Sequence, residues 1–165
     1  MGRAWVAVVL VLAACGGRPE ANPAASEAIA QASVPLYPNE TPELRRLINH
    51  YAEVYDVPPS LIHRLIDRES DYRPWLRAGP YYGLLQILPQ TARTMGHEGP
   101  AEELLDPDVN LRYGVRYLRG AWLLSDRDPD GAIRRYAQGY YYEARDRCML
   151  VETGLNDREI GRGCR

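Results

Sequence analysis

In the stretch Asp67-Arg68-Glu69-Ser70-Asp71-Tyr72-Arg73-Pro74, an acid stands where helical periodicity asks for an apolar side chain. Ser60 is an N-cap residue type, and Leu61, Ile62, Leu65 and Ile66 recur after it at helical spacing; Glu69 falls three and four residues beyond Ile66 and Leu65 on the same stripe. A carboxyl facing inward at the C-terminal end of a helix is disfavoured as an anion by desolvation and by the negative end of the helix dipole. Such a group keeps a protonated fraction near neutral pH and can serve as a proton donor. Arg64 and Arg68 oppose that shift. The plainer alternative is a last-turn residue of an ordinary amphipathic helix, facing solvent or paired with an arginine. Asp67 and Asp71 lie two residues away on other faces of the helix, so neither is placed to act as a second carboxylate across a scissile bond. His50, His63 and His97 show no metal-ligand spacing, and no Gly-x-Ser-x-Gly, Walker or Rossmann signature is present. No cofactor and no metal are implied.

The elements that must position Glu69 are mostly helices. Thr41-Pro42 starts one whose Leu44, Leu47, Ile48, Tyr51, Val54 and Tyr55 form a stripe, stopped by Pro58-Pro59. The Glu69 helix follows and Pro74 closes it. A loop, Arg77-Ala78-Gly79-Pro80-Tyr81-Tyr82, leads to Gly83-Leu84-Leu85-Gln86-Ile87-Leu88, which reads as a short buried strand or a buried helical turn. Pro89 opens a short helix with Gly96 as its stop. Asp106-Pro107-Asp108 heads a long helix with Val115, Leu118, Ala121 and Trp122 on one face. Asp128-Pro129-Asp130 heads the next, with Ile133, Tyr136, Ala137 and Tyr140. The expected fold class is all-α with minimal β.

Residues 1–14 carry one charge, Arg3, and an apolar run too short to span a bilayer, the pattern of a signal peptide. The run ends Leu12-Ala13-Ala14-Cys15, which resembles a bacterial lipobox, so lipid on Cys15 is expected. Gly16 rather than Asp at the next position implies transfer to the outer membrane and a periplasmic location. Residues 15–40 are rich in Ala, Pro, Ser and Glu and read as a flexible tether spanning ~30 Å. Residues 41–147 form one domain and residues 148–165 a C-terminal tail. Cys148 and Cys164 can pair there in an oxidising compartment, the alternative being two free thiols. The formal charge is −2 and all 20 basic residues are arginine, with no basic run interleaved with aromatics, so nucleic acid is excluded as an expected partner. With 12 Tyr, 3 Trp and no Phe, the aromatic residues suit stacking under sugar rings as well as ordinary packing.

Three motifs occur in order: Glu69-Ser70 with Tyr72 and Pro74; Gly83-Leu84-Leu85-Gln86-Ile87-Leu88-Pro89-Gln90-Thr91-Ala92; and Arg135-Tyr136-Ala137-Gln138-Gly139. Between the last two, Asn110, Gly114, Tyr117 and Leu118 follow the spacing Asn-x-x-x-Gly-x-x-Tyr-Leu. Together these resemble the soluble lytic transglycosylase domain, a goose-lysozyme-like fold, over roughly residues 41–147. The resemblance implies a lysozyme-like helical domain acting on peptidoglycan glycan strands. The reaction would cleave the β-1,4 bond between N-acetylmuramic acid and N-acetylglucosamine and leave 1,6-anhydro ends. It implies Glu69 as the catalytic acid, then base, with Gln86 and Tyr136 binding substrate or Glu69. Gly83 is expected to admit close approach of the sugar chain, and Tyr82 and Tyr141 to contribute to a sugar platform.

The sequence also departs from the family pattern. The Ser-x-x-Gly-Ala stretch is shortened to residues 77–82, Leu85 replaces Met, and Ala137 stands where the third motif has Asn. Tyr140-Tyr141-Tyr142 replaces a glycine-rich continuation, and packing is expected for two of the three. Two alternatives follow: a hydrolytic muramidase, and a non-catalytic peptidoglycan-binding or scaffold lipoprotein. Asp126 to Gly131 resembles half of a calcium-binding loop, but the closing acid position is Ala137, and a helix start accounts for the same residues.

Overall fold

The computed structural model describes residues 34–164; Cys15, the signal-peptide stretch and most of the tether lie outside them. Six α-helices make up most of the described chain: α1 (Pro42–Tyr55), α2 (Pro59–Ser70), α3 (Pro89–Thr94), α4 (Pro107–Leu124), α5 (Pro129–Gln138) and α6 (Tyr141–Asp146). A two-stranded antiparallel hairpin, β1 (Arg77–Ala78) and β2 (Tyr81–Tyr82), follows α2, and a 3-10 turn at Ala101–Leu105 precedes α4. No helix among the described residues is long and apolar enough to cross a membrane.

Proline opens each of the first five helices, where its missing N–H costs nothing and its fixed φ is already helical. Three of these starts are capped by the preceding side chain. Thr41 Oγ1 accepts from Leu44 N at 3.1 Å, Asp106 Oδ1 from Asp108 N at 2.9 Å, and Asp128 Oδ2 from Gly131 N at 2.7 Å. The expected Ser60 cap is absent: Pro58 holds the cap position without a side-chain bond, and Ser60 sits inside the first turn. Helix α2 ends at Ser70, before Pro74, because Asp71 and Tyr72 both turn into the left-handed region, at φ 50° and 57°.

The core gathers Ile48, Leu65, Ile66, Leu111, Val115 and Leu118, all fully buried, around the long α4, which packs on α1 and α5. Each such side chain contributes roughly 1.5–3 kcal/mol by leaving water. One stripe residue was misread: Val54 is 54% exposed, because Ala52 turns inward in its place.

The stretch expected to be a flexible tether up to Glu40 ends sooner. Tyr37 stacks on His63 and Tyr72 with ring centroids 5.0 and 5.2 Å away, and its N–H donates to Glu40 Oε2 at 2.9 Å. The Glu40 side chain is fully buried and takes two 2.6 Å hydrogen bonds from Arg45, while His63 Nδ1 lies 2.8 Å from the Tyr72 hydroxyl. This clasp ties the segment before α1 to the flank of α2.

At the other end, Cys148 and Cys164 are joined as a disulfide, with Cα atoms 5.5 Å apart. The segment they enclose has turns but no regular element, and it adds Leu150 to the core.

Candidate active site

The hairpin and the loop after it form one face of a cleft. Gly79, at φ +60°, supplies the left-handed residue that the two-residue connection between β1 and β2 requires. Successive strand residues point to opposite sides. Tyr82 accordingly goes inward, 4% exposed, into a small core with Ile87, Ala92 and Leu104, and Arg77 lies over its ring at 4.6 Å. Tyr81, 43% exposed, faces the cleft. Of the two adjacent tyrosines it is Tyr81, not the expected Tyr82, that lines the cleft.

Residues 83–86 form neither a strand nor a helical turn. They make a loop closed by paired backbone bonds, Tyr82 N to Ile87 O and Ile87 N to Tyr82 O, both 3.1 Å. Asn110, fully buried on α4, organises it: Oδ1 accepts from Leu85 N at 2.9 Å, and Nδ2 donates to Tyr82 O at 2.9 Å and Leu104 O at 2.7 Å. Gly83 has φ +70°, and a Cβ there would collide with the Asn110 amide and the Leu104 carbonyl. A close approach from inside the protein is enough to demand glycine at this position.

Gln86 also sits at positive φ, 44°, and is 8% exposed. Its Nε2 donates to Gly83 O at 2.8 Å and Leu76 O at 3.1 Å, which fixes the amide orientation, since a flip would set oxygen against two carbonyls. Oε1 is left buried with no hydrogen-bond partner among the described residues. An unsatisfied buried acceptor costs roughly 1–3 kcal/mol and is suited to a ligand hydroxyl or N–H.

Glu69 lies on the last turn of α2, its side chain 22% exposed. Burial raises its pKa above the ordinary carboxylate value, and the Arg68 guanidinium, Nε 3.5 Å from Oε1, works against that rise. Arg64, the other expected opponent, is drawn off to Asp130 at 2.5 Å, linking α2 to α5. A pocket of about 320 Å³ is lined by Arg68, Glu69, Ala78, Tyr81, Gln86, Tyr136 and Ala137. A second, of about 290 Å³, shares Tyr81, Gln86, Tyr136 and Ala137 with it and continues past Thr91 and Tyr117 to Gly139. Among the described residues, Glu69 is the one carboxylate lining either.

Tyr136 comes from α5 and is 8% exposed. Its hydroxyl donates to Leu85 O at 2.9 Å, so it meets the cleft as an acceptor. Burial first, then the nearby Glu69 charge, pushes its pKa well above the usual tyrosine value, and it stays protonated. It can therefore take a hydrogen bond from the protonated Glu69 or from a sugar hydroxyl, but cannot also donate to the carboxylate without releasing Leu85.

The structure thus brings Glu69, Gln86 and Tyr136 together and leaves Gly83, Tyr82 and Tyr141 out of the cleft lining. Of the three tyrosines after Gly139, one packs rather than two. Tyr140 is buried and donates to Tyr117 O at 2.6 Å, whereas Tyr141 and Tyr142 are 41% and 70% exposed. Sequence reasoning missed Tyr81 and the organising role of Asn110. The signals were present: Gly79-Pro80 as a two-residue hairpin connection, and a polar Asn110 beside Leu111 and Gly114 on the buried stripe of α4. Among the described residues no cluster of three or more potential metal ligands occurs. Asp126 pairs with Arg147, Asp128 caps α5 and Asp130 holds Arg64.

The family described as transglycosylase SLT domain matches residues 46–143, which hold Glu69, Gln86, Asn110 and Tyr136. The chain belongs to this family, and with it to proteins of lytic transglycosylase character that act on peptidoglycan. No solved structure matches the chain.

Proposed function

We propose that this protein is a lytic transglycosylase that cleaves the MurNAc-β-1,4-GlcNAc bond and leaves 1,6-anhydro-MurNAc ends. The observation that carries the reading is a single half-buried carboxyl, its pKa raised by burial, in a cleft lined by no second carboxylate among the described residues. A glycosidase using water or a covalent intermediate normally needs two acids flanking the bond. One acid suffices when the second nucleophile is the substrate's own hydroxyl. Protonated Glu69 gives its proton to the leaving glycosidic oxygen as the C1–O bond breaks. The resulting carboxylate then takes the proton of the C6 hydroxyl while O6 closes on C1. Tyr136 holds the acid or a neighbouring sugar hydroxyl through its free lone pairs, and Gln86 Oε1 accepts from a hydroxyl or acetamido N–H. Lipid on Cys15 anchors the protein to the outer membrane, with the domain working on glycan strands in the periplasm.

The test is mass spectrometry of products from purified sacculi incubated with the protein and with Glu69→Gln. Anhydro-muropeptides that disappear in the variant are expected. Reducing muramic ends would replace this reading with a muramidase, and sedimentation with sacculi without any product would leave a binding protein.

A further inference from the structure

The two pockets are lined by one acid, Glu69, and one cation, Arg68. Arg68 is about half exposed, and its Nε lies 3.5 Å from Glu69 Oε1, a loose pairing. Among the described residues its side chain makes no hydrogen bond, and Glu69 is its one ion-pair partner. Other arginines of the domain are tied down: Arg45 to Glu40, Arg135 to Glu143 and Arg116 to the Met95 carbonyl. A half-exposed planar guanidinium that lines a cleft and donates no hydrogen bond within the described residues is suited to bidentate capture of a carboxylate. Resting on the transglycosylase reading, we propose that Arg68 recognises a carboxylate borne by the muramyl residue and that, on binding it, Arg68 is drawn away from Glu69.

The substrate has two sources of that group. Muramic acid carries a lactyl ether at C3 that ends in a free carboxylate when no peptide is attached, and a peptide stem contributes carboxylates of its own. Either one would compete with Glu69 for the same cation. Its capture removes the one charge that opposes protonation of Glu69, so correct substrate binding itself prepares the acid. The other titratable groups lining this part of the cleft, Tyr136 from α5 and Tyr81 from β2, are neutral when protonated and do not replace that charge. Recognition and activation are then one event.

The test is calorimetric binding, read before turnover, of the wild type, Arg68→Gln and Arg68→Lys. Three tetrasaccharides serve as probes: alternating GlcNAc–MurNAc with free lactyl groups, the same chain bearing stem peptides, and chitotetraose, which lacks both. Arg68→Gln is expected to weaken binding of a muramyl probe by about tenfold and of chitotetraose by no more than about twofold, with Arg68→Lys between. A loss confined to the free-lactyl probe assigns the lactyl carboxylate, and one confined to the peptide-bearing probe assigns the stem. Equal losses on all three probes, or no loss on either muramyl probe, would overturn the proposal. A second readout separates it from a purely structural role: the falling limb of kcat/KM against pH, where Glu69 loses its proton, should move to higher pH in Arg68→Gln. If the wild type forms no anhydro ends, the transglycosylase reading fails while the binding arms still decide the role of Arg68.

Discussion

Two carboxylates, Glu40 just before α1 and Glu69 on the last turn of α2, have proton affinities that run against their depth. The Glu40 side chain is completely buried, yet its pKa lies below the ordinary value. Burial pushes it up, but the Arg45 hydrogen bonds, the Tyr37 N–H and the charges of His63 and Arg45 together outweigh burial. The Glu69 side chain is 22% exposed, yet its pKa is raised, because burial there meets only the Arg68 charge. Partners, more than depth, decide which acid keeps its proton. One carboxylate fastens the fold and the other is left free to exchange a proton.

The largest effect should come from removing that exchange. Glu69→Gln is expected to lower the rate of anhydro-end formation about 10³-fold, measured on purified glycan strands, with the domain still folded. Glu40→Gln should break the comparison from the other side: loss of one partner of a buried pair is expected to cost about 3 kcal/mol in urea unfolding while leaving the cleft chemistry in place. The pair also sets a pH dependence. Glu40 has a depressed folded pKa, so its contribution is complete above the unfolded carboxylate value and fades as pH falls through the folded one. His63 is depressed mainly by burial, so the unfolded chain binds its proton more readily and stability falls as pH drops below about 6.5. Urea midpoints of the wild type should therefore decline on acidification, and a midpoint constant from pH 7 to pH 4 would contradict the clasp.

A smaller effect is expected at the point where the cleft meets the core. Tyr136→Phe keeps the ring but removes the bond to Leu85 O, and should cost about 1 kcal/mol in stability and roughly tenfold in turnover. The smallest effect sharpens the contrast most. Because the folded pKa of Glu69 is raised, its presence weighs against stability once pH exceeds the unfolded carboxylate value, most fully above the folded one. Glu69→Gln should thus raise stability slightly at pH 7.5, by less than about 1 kcal/mol for a carboxyl this exposed and seen as a small rise in the thermal midpoint, whereas Glu40→Gln lowers it.

What was legible in the sequence followed from local rules. The helix starts at Pro42, Pro107 and Pro129 with their caps could be read directly, because capping is settled within four residues. Glu69 stood out as a polar residue on an apolar stripe, and Gln86 and Tyr136 came from the motif resemblance. The illegible parts depended on contacts distant in sequence or on elements too short to show a period. Strands of two residues give no alternation to count, so which of Tyr81 and Tyr82 faces the cleft is not legible from the sequence. The internal contact that demands glycine at Gly83 is with Asn110, 27 positions away on α4, where no local pattern reaches. The burial of Glu40 depends on His63 and Tyr72 as well as on Arg45, and in a Pro- and Ala-rich stretch nothing local announced it.

The disulfide turns the last part of the chain into a closed ring, since Cys148 and Cys164 are 16 positions apart and covalently joined. A single backbone cut anywhere between them would release no fragment, because both ends stay attached through sulfur. Tension arriving at Cys164 would likewise cross the bond to Cys148 and pass into the body near α6, leaving the intervening loop slack. The ring is shielded mechanically and topologically although it holds no helix or strand, and reduction of one bond would withdraw both protections together.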